Sequence, residues 1–300
     1  LPEATAELTV DSLLAHSSGL PAVPELWKHV QPSGGEYASG GGFPDPDQIE
    51  RAQNALYQIE PVAEPGRRII YSCTGYLLLG EVVKALSGEP LARRFTHFSG
   101  SSTASFRATV NGDTSFALGF LPPPRERERS APTEADRWRG RRIQGEVHDE
   151  NAYALGGAAG NAGLFGTLRA VHTHILRLWG PLVGAGEEEA LLPERDARKM
   201  ATVRESLPLP AHLLTGLPGS VERRGLGVRL APKEWQETTG MSEESFGHTG
   251  FTGTSFWIDP PRQLVIVALT NRLYYGREAS EAGLGDYRRL LHRRVLESFR

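Results

Sequence analysis

The chain has 300 residues, a formal net charge of -3, 39% hydrophobic and 23% charged residues, which is ordinary globular usage with enough length to bury a large core. That charge balance leaves no electrostatic footprint for nucleic acid, and no apolar run approaches the ~20 residues needed to span a bilayer. The lone Cys73 excludes an intrachain disulfide and leaves the redox compartment open.

Thr9 reads as an N-cap for a helix over Val10 to His16, with Gly19 as its stop. Residues 31–48 are rich in Gly, Pro and Ser and read as loop. Asp47 to Gln58 has weak helical periodicity, and Arg67 to Tyr71 is a short extended run after the Pro65-Gly66 turn. Ser72 to Leu86 is the strongest early helix, with Tyr76, Leu77, Leu79, Val82, Val83 and Leu86 on one broad face and Gly88 at its end. Residues 97–146 read as mostly irregular. Thr167 caps a helix over Leu168 to Trp179, and another is expected within 184–205. Strand signals follow at Ser245 to Thr249, Thr252 to Ile258 and Leu264 to Asn271, with Asp259-Pro260-Pro261 as a turn. An amphipathic helix closes the chain, its stripe being Leu284, Tyr287, Leu291, Val295 and Phe299.

Two short patterns carry chemistry. In His248-Thr249-Gly250 a small residue and a glycine end a strand. On an edge strand that lets a substrate lie alongside as an extra strand, with the Phe251 N–H as half of an oxyanion hole. Taken alone, the pattern equally fits a strand-end histidine before a glycine turn. Tyr71-Ser72-Cys73 opens a helix, where the positive end of the dipole favours a phenolate. An ordinary half-buried, hydrogen-bonded tyrosine is the alternative.

Context adds to both. Leu13-Leu14-Ala15-His16-Ser17-Ser18-Gly19-Leu20-Pro21 resembles the LLxHxSGLP segment of serine hydrolases related to penicillin-binding proteins and class C β-lactamases. Tyr71-Ser72-Cys73-Thr74-Gly75-Tyr76 with Leu78-Leu79-Gly80-Glu81 resembles that family's YSNxGYxLLGE stretch. Trp138-Arg139-Gly140, the run Gly145-Glu146-Val147-His148-Asp149-Glu150-Asn151-Ala152 and Ala162-Gly163-Leu164-Phe165 look like one bacterial subgroup. His248-Thr249-Gly250 stands where the family has KTG or HTG. The resemblance implies an α/β fold of the serine β-lactamase/transpeptidase type: one domain over 1–300, mostly helical over 9–200, with antiparallel strands and a helix over 245–300. It implies an acyl-serine mechanism on an ester, D-alanyl peptide or β-lactam, with Tyr71 and His248 catalytic. Ser72, Cys73, Asp149, Asn151, Thr249, Gly250 and Phe251 are then expected to bind substrate. No cofactor and no metal is implied; the partner is a small-molecule or peptide substrate.

The pattern also breaks. No Ser-x-x-Lys occurs: the residues three before the four lysines are Glu25, Glu81, Asp196 and Leu230. In the family that motif precedes the LLxHxSGLP segment, where this chain has eight residues ahead of the helix that Thr9 caps. The expectation is therefore a chain without that segment, with a sheet incomplete on its N-terminal side. A non-catalytic module binding peptidoglycan-like peptides, or a non-functional fragment, are the other readings. Cys73 stands where the family has Asn or Asp, and a thiol is a weak hydrogen-bonding substitute. Its nucleophilic use is a lesser alternative, since a helix N-terminus lowers thiol pKa. Residues 95–116 lack the family's PLGM-like segment. His172 and His174, two apart on a helix, face different sides and do not chelate one metal. No Gly-x-Ser-x-Gly elbow is present.

Overall fold

The computed structural model describes residues 5, 7–32, 42–100, 109–110, 113–114, 118–208, 221–278 and 283–299. Parts of the expected loop over 31–48 and of the irregular region over 97–146 lie outside them. The chain divides into two units, Leu1–Ala170 and Val171–Arg300.

In the first unit, α1 (Val10–Leu14) begins at a reciprocal capping box between Thr9 and Ser12. It stops two residues earlier than expected, because His16 takes a left-handed φ of 59°. Asp45 caps α2 (Pro46–Tyr57), whose Pro46 fits the first turn, where its missing N–H costs nothing. Helix α3 (Cys73–Ser87) is capped by Ser72 and ended by Gly88 at φ 68°. Its buried face is Thr74, Gly75, Leu77, Leu78 and Gly80, not the broader stripe expected, and Leu86 is 85% exposed. Helix α4 (Leu91–Ser99) and α5 (Pro124–Arg127) follow, with paired strands β1 (Thr109–Val110), β2 (Asp113–Thr114), β3 (Leu118–Phe120), β4 (Ala135–Asp136) and β5 (Arg141–Arg142). The region expected to be irregular thus carries short elements, too brief to leave a periodic signal. Helix α6 (Glu150–Ala154) and β6 (Leu164–Gly166), which pairs with β3, complete the unit. Its core gathers Leu13, Leu20, Leu26, Leu56, Leu77 and Tyr153. Arg67 to Tyr71 forms no strand.

Helix α7 (Leu168–Trp179) starts where Thr167 Oγ1 accepts from Ala170 N–H at 3.2 Å and leads into the second unit. Of the stretch 184–205 only α8 (Glu194–Ala201) is α-helical. The second unit is built on an antiparallel sheet of β7 (Glu205–Pro208), β8 (Val221–Arg224), β9 (Arg229–Leu230), β10 (Phe246–Thr249), β11 (Ser255–Asp259) and β12 (Leu264–Ala268). Its order is β12-β11-β10-β9-β8-β7. The three expected strands are present and pair as expected. The strands β7 to β9 left no sequence signal, being short and rich in Arg and Glu.

Alternation along β11 sends side chains to two cores. Ile258 is buried with Ile175, Trp179, Val183 and Phe246, and Phe256 packs against them. Trp257 joins Ala231, Met241 and Leu296, with Trp235 from α9 (Lys233–Thr239). Within this unit the sheet is therefore covered on both faces. Helix α10 (Leu284–Ser298) buries His292 and Leu296. The expected stripe is rotated: Tyr287 is 47% and Phe299 75% exposed.

His292 is 1% exposed, and among the described residues neither ring nitrogen has a hydrogen-bond partner. Its ring meets Trp235 edge-on at 5.0 Å and Trp257 at 6.3 Å. Burial, reinforced by the Arg288 guanidinium, pushes its pKa down from 6.5 to about 4. The folded state thus holds this imidazole neutral, whereas the unfolded chain protonates it below pH 6.5. The stability it contributes is complete above pH 6.5 and is lost as pH falls toward 4, on the order of 3 kcal/mol in all. Urea midpoints measured from pH 7.5 to pH ~4.5 should show this fall, and His292→Phe, which keeps an aromatic ring in place, should flatten it. An unchanged acid limb in that variant would contradict the assignment.

Candidate active site

In the first unit the segment 16–22 is laced to the segment 62–73. Val62 N–H donates to Gly19 O at 2.8 Å, Gly66 N–H to Ser17 O at 2.7 Å, Ile70 N–H to His16 O at 2.9 Å and Cys73 N–H to Ala22 O at 2.7 Å. Gly19, at φ 75°, passes so close to Ala63 that a Cβ would lie 2.0 Å from its carbonyl oxygen; only glycine fits there. The buried His16 ring accepts from Ser72 N–H through Nδ1 at 3.0 Å, which leaves its proton on Nε2 when neutral. The same ring lies 4.6 Å from that of Tyr71 and 4.9 Å from that of Tyr76. Tyr71 therefore rests on a fixed partner at the head of α3, and it is 41% exposed.

Two expected substrate contacts are committed to the fold instead. Ser72 is 1% exposed; its hydroxyl donates to Pro21 O at 2.8 Å and accepts from Gly75 N–H at 3.1 Å. Asn151 is 2% exposed, and its Oδ1 accepts from Leu26 N–H at 2.8 Å. Both donors are main-chain groups at turns, so these residues shape the site from behind. Asp149 caps α6, accepting from Ala152 N–H at 2.7 Å.

Cys73 is the first residue of α3, but the helix terminus does not make it reactive. Burial, then the negative charge of Asp149, pushes its pKa up to about 11, against the opposing hydrogen bond from Asn161. Sequence reasoning missed Asn161. Its place is set by Gly160, where a Cβ would meet Tyr76 O at 2.0 Å: the chain crosses α3 at backbone contact. The glycine run over 156–166 was the visible trace of that approach.

The loop carrying Asp149 is framed by buried charge. His148 Nε2 and Glu134 Oε1 are 2.7 Å apart. Arg139, with its side chain fully buried, lies 3.5 Å from Asp136 and 3.9 Å from Glu146. It donates to Val147 O at 2.7 Å, His148 O at 3.1 Å and Asp149 O at 3.4 Å. Glu134, Asp136, Arg139, Glu146 and His148 thus form a buried polar scaffold under the Asp149 loop.

In the second unit, β10 is not an edge strand. It pairs with β11 from Phe246 to Thr249, and with β9 at Phe246 and Gly247. Among the described residues the ladder on the β9 side stops before His248. Burial, followed by the charge of Arg224, lowers the His248 pKa from 6.5 to about 4, while its Nδ1 lies 3.0 Å from Thr249 O. The imidazole is thus neutral at physiological pH. Positive charge near it comes from Arg224 and Arg229, which face each other across β8 and β9. Register alone brings them there, so single-sequence reading had no means of finding them. Phe251, 55% exposed, stands in the turn between β10 and β11.

The mixed α/β architecture, helices with antiparallel sheets, is that of the β-lactamase and transpeptidase fold. The family model described as Beta-lactamase matches residues 1–287, and the chain belongs to that family. It is 28% identical over 283 residues to an Escherichia coli O157:H7 protein named as a D-alanyl-D-alanine carboxypeptidase, covering 88% of this chain and 57% of the relative. It is 29% identical over 276 residues to an N-acetylmuramyl-L-alanine amidase of Bacillus subtilis strain 168, covering 89% of this chain and 56% of the relative. The chain thus spans somewhat over half the length of these curated relatives. Among solved structures, a penicillin-binding protein homologue from Caulobacter crescentus superposes with a TM-score of 0.55 at 16% identity, covering 90% of this chain and 66% of that one; this likeness is one of fold. Among the described residues no helix is long and apolar enough to cross a membrane.

Proposed function

We propose that the chain provides the tyrosine and HTG elements of an acyl-transferring amide hydrolase acting on peptidoglycan-type peptides. The observation that carries this is Tyr71: a half-exposed phenol at the head of α3, its ring tilted against that of a buried histidine that the neighbouring main chain holds in place. The names of the two relatives, one a D-alanyl carboxypeptidase and one a muramyl-L-alanine amidase, both point to amide bonds of cell-wall fragments. Esters and β-lactams are acyl donors of the same class. In the reaction a serine attacks the carbonyl carbon and its proton passes to Tyr71. The oxyanion that forms is met by the Phe251 N–H. Collapse expels the amine, which takes the proton, and water then releases the acyl group. His248 serves as a neutral polar group beside the substrate, with Thr249 and Gly250 giving it room. Cys73 and Asp149 line the tyrosine side, and the whole of 1–300 belongs to one catalytic domain.

One observation favours a second reading, a module that binds such peptides without cleaving them: no Ser-x-x-Lys occurs in the 300 residues. Reading the gene upstream of the Leu1 codon separates the two. If an in-frame Ser-x-x-Lys is encoded there, the protein expressed with it should show burst hydrolysis of a chromogenic ester and of D-alanyl-D-alanine or muramyl-L-alanine peptides. Tyr71→Phe should cut the burst rate by about 10²- to 10⁴-fold, as expected for removing a general base. Binding of those peptides with no turnover would establish the second reading.

A further inference from the structure

The turn after β10 is held by more donors than a hairpin needs. Gly250 N–H donates to Thr254 O at 2.7 Å, and Gly253 N–H returns to Gly250 O at 3.1 Å. Thr252 O accepts from the backbone N–H of Arg272 at 2.9 Å, and Phe251 O accepts from Arg272 Nε at 2.5 Å. Gly253 O accepts from Thr270 Oγ1 at 2.7 Å and from Arg288 Nη2 at 2.9 Å. The same Arg288 nitrogen reaches Thr254 O at 3.0 Å. Every carbonyl from Gly250 to Thr254 therefore has a donor, and two side chains supply it as guanidinium. The Arg272 guanidinium also sits 4.5 Å from the centroid of the exposed Phe251 ring. Peptide units are planar, so holding the oxygen of Gly250 and the oxygen of Phe251 fixes both planes that flank the Phe251 Cα. The Phe251 N–H lies in the first of these planes, which Gly253 N–H holds at the Gly250 oxygen, and Arg272, by holding the second, keeps the first from turning about the Phe251 Cα.

This clamp carries an electrostatic cost. Burial, followed by repulsion from the nearby Arg272 charge, lowers the pKa of Arg288. A hairpin of this length closes without such a pair. Charged donors do make stronger hydrogen bonds than neutral ones, and a turn whose amides must not move during a reaction gains from them.

We infer that Arg272, backed by Arg288, is a positioning residue that fixes the Phe251 N–H for an oxyanion. The inference rests on the acyl-transfer reading for the role of that N–H, but not for the clamp itself. Two measurements keep the parts separate. The first is amide hydrogen exchange by NMR on this chain and on Arg272→Ala, which keeps the backbone contact to Thr252 but loses the guanidinium. Exchange at Gly250 and Gly253, whose N–H groups are hydrogen-bonded within the turn, should rise by about tenfold or more, while β11 and β12 stay protected. Unchanged exchange at the turn, or a rise across the whole sheet, overturns the inference. The second is turnover of a chromogenic ester by the protein carrying its nucleophile. Arg272→Ala should lower kcat by about 10- to 100-fold with KM within about twofold, by analogy with the loss of an oxyanion donor. Methylguanidinium should restore part of kcat to Arg272→Ala, and Arg272→Lys should retain more than Ala. A rise in KM with kcat intact makes Arg272 a substrate contact instead and overturns the positioning role. If the unsubstituted protein shows no turnover, the acyl-transfer reading falls, and exchange alone decides for or against the clamp.

Discussion

Incubated with a labelled penicillin or a chromogenic ester, the 300-residue chain should keep its unmodified mass. The lysines, and the serines and cysteine around Tyr71, are each unsuited for a stated reason. The four lysines, Lys28, Lys84, Lys199 and Lys233, are all exposed, and Lys28, Lys84 and Lys233 lie beside Glu25, Glu81 and Glu237. None sits in a buried, desolvated setting beside a serine that it could serve. Ser17 and Ser18 are 1% exposed, and the Ser72 hydroxyl is fixed as a cap. Cys73, with its pKa pushed up to about 11, is thiolate in roughly three molecules per ten thousand at pH ~7.5. Loss of the nucleophile from such a site removes several orders of magnitude of rate. Intact-mass spectrometry after an hour of exposure gives the answer directly. An adduct at neutral pH would overturn this account, and its position would name the nucleophile. A separate check uses iodoacetamide. Alkylation of Cys73 should be slow at pH ~7.5 and accelerate about tenfold per pH unit up to pH ~10, because only the thiolate reacts.

The elements of the site were more legible than their supports. Ser72 and Gly88 marked both ends of α3 from the sequence, because caps are local chemistry. The strands β10, β11 and β12 stood out through alternation and the Asp259-Pro260-Pro261 turn. Motif order is what singles out Tyr71 and His248 as candidates. What stayed hidden depends on register and on distant packing. Arg272 reaches Phe251 from 21 positions away, and Asn161 reaches Cys73 from the far side of a backbone crossing. The reassignment of Ser72 and Asn151 has the same origin. A sequence shows that a polar residue flanks a motif; only the fold shows whether main-chain donors have already claimed it. The rotated stripe of α10 is a further case. Tyr287 and Phe299 satisfied the periodicity, but Trp235 and Trp257 selected the face bearing His292.

Arg139→Met should be the most damaging single substitution in the first unit. The Arg139 side chain is fully buried, between Asp136 at 3.5 Å and Glu146 at 3.9 Å. Its guanidinium lies over the Tyr153 ring at 4.3 Å, and it donates to three consecutive carbonyls, those of Val147, His148 and Asp149. Methionine matches much of the volume but none of the charge. Glu146 would keep Arg141, at 2.9 Å, whereas Asp136, 8% exposed, would lose its nearby cation. Breaking one partner out of a buried ion pair costs about 3–5 kcal/mol, because the remaining charge is stranded without solvent. The Val147 and His148 carbonyls lose the Arg139 donor as well, while Asp149 O keeps the Tyr153 N–H at 3.0 Å. Lysine should recover little, since a single ammonium cannot serve a planar fan of three carbonyls and two carboxylates. Urea unfolding followed by tryptophan fluorescence is a suitable readout, as Trp138 packs edge-on against Tyr153 at 5.6 Å. Removing the stranded charge should separate the two contributions: Arg139→Met combined with Asp136→Asn should be more stable than Arg139→Met alone. If Arg139→Met costs less than about 1 kcal/mol, or the added Asp136→Asn destabilises it further, then Arg139 does not hold this scaffold by charge, and the placement of Asp149 beside Cys73 must have another cause.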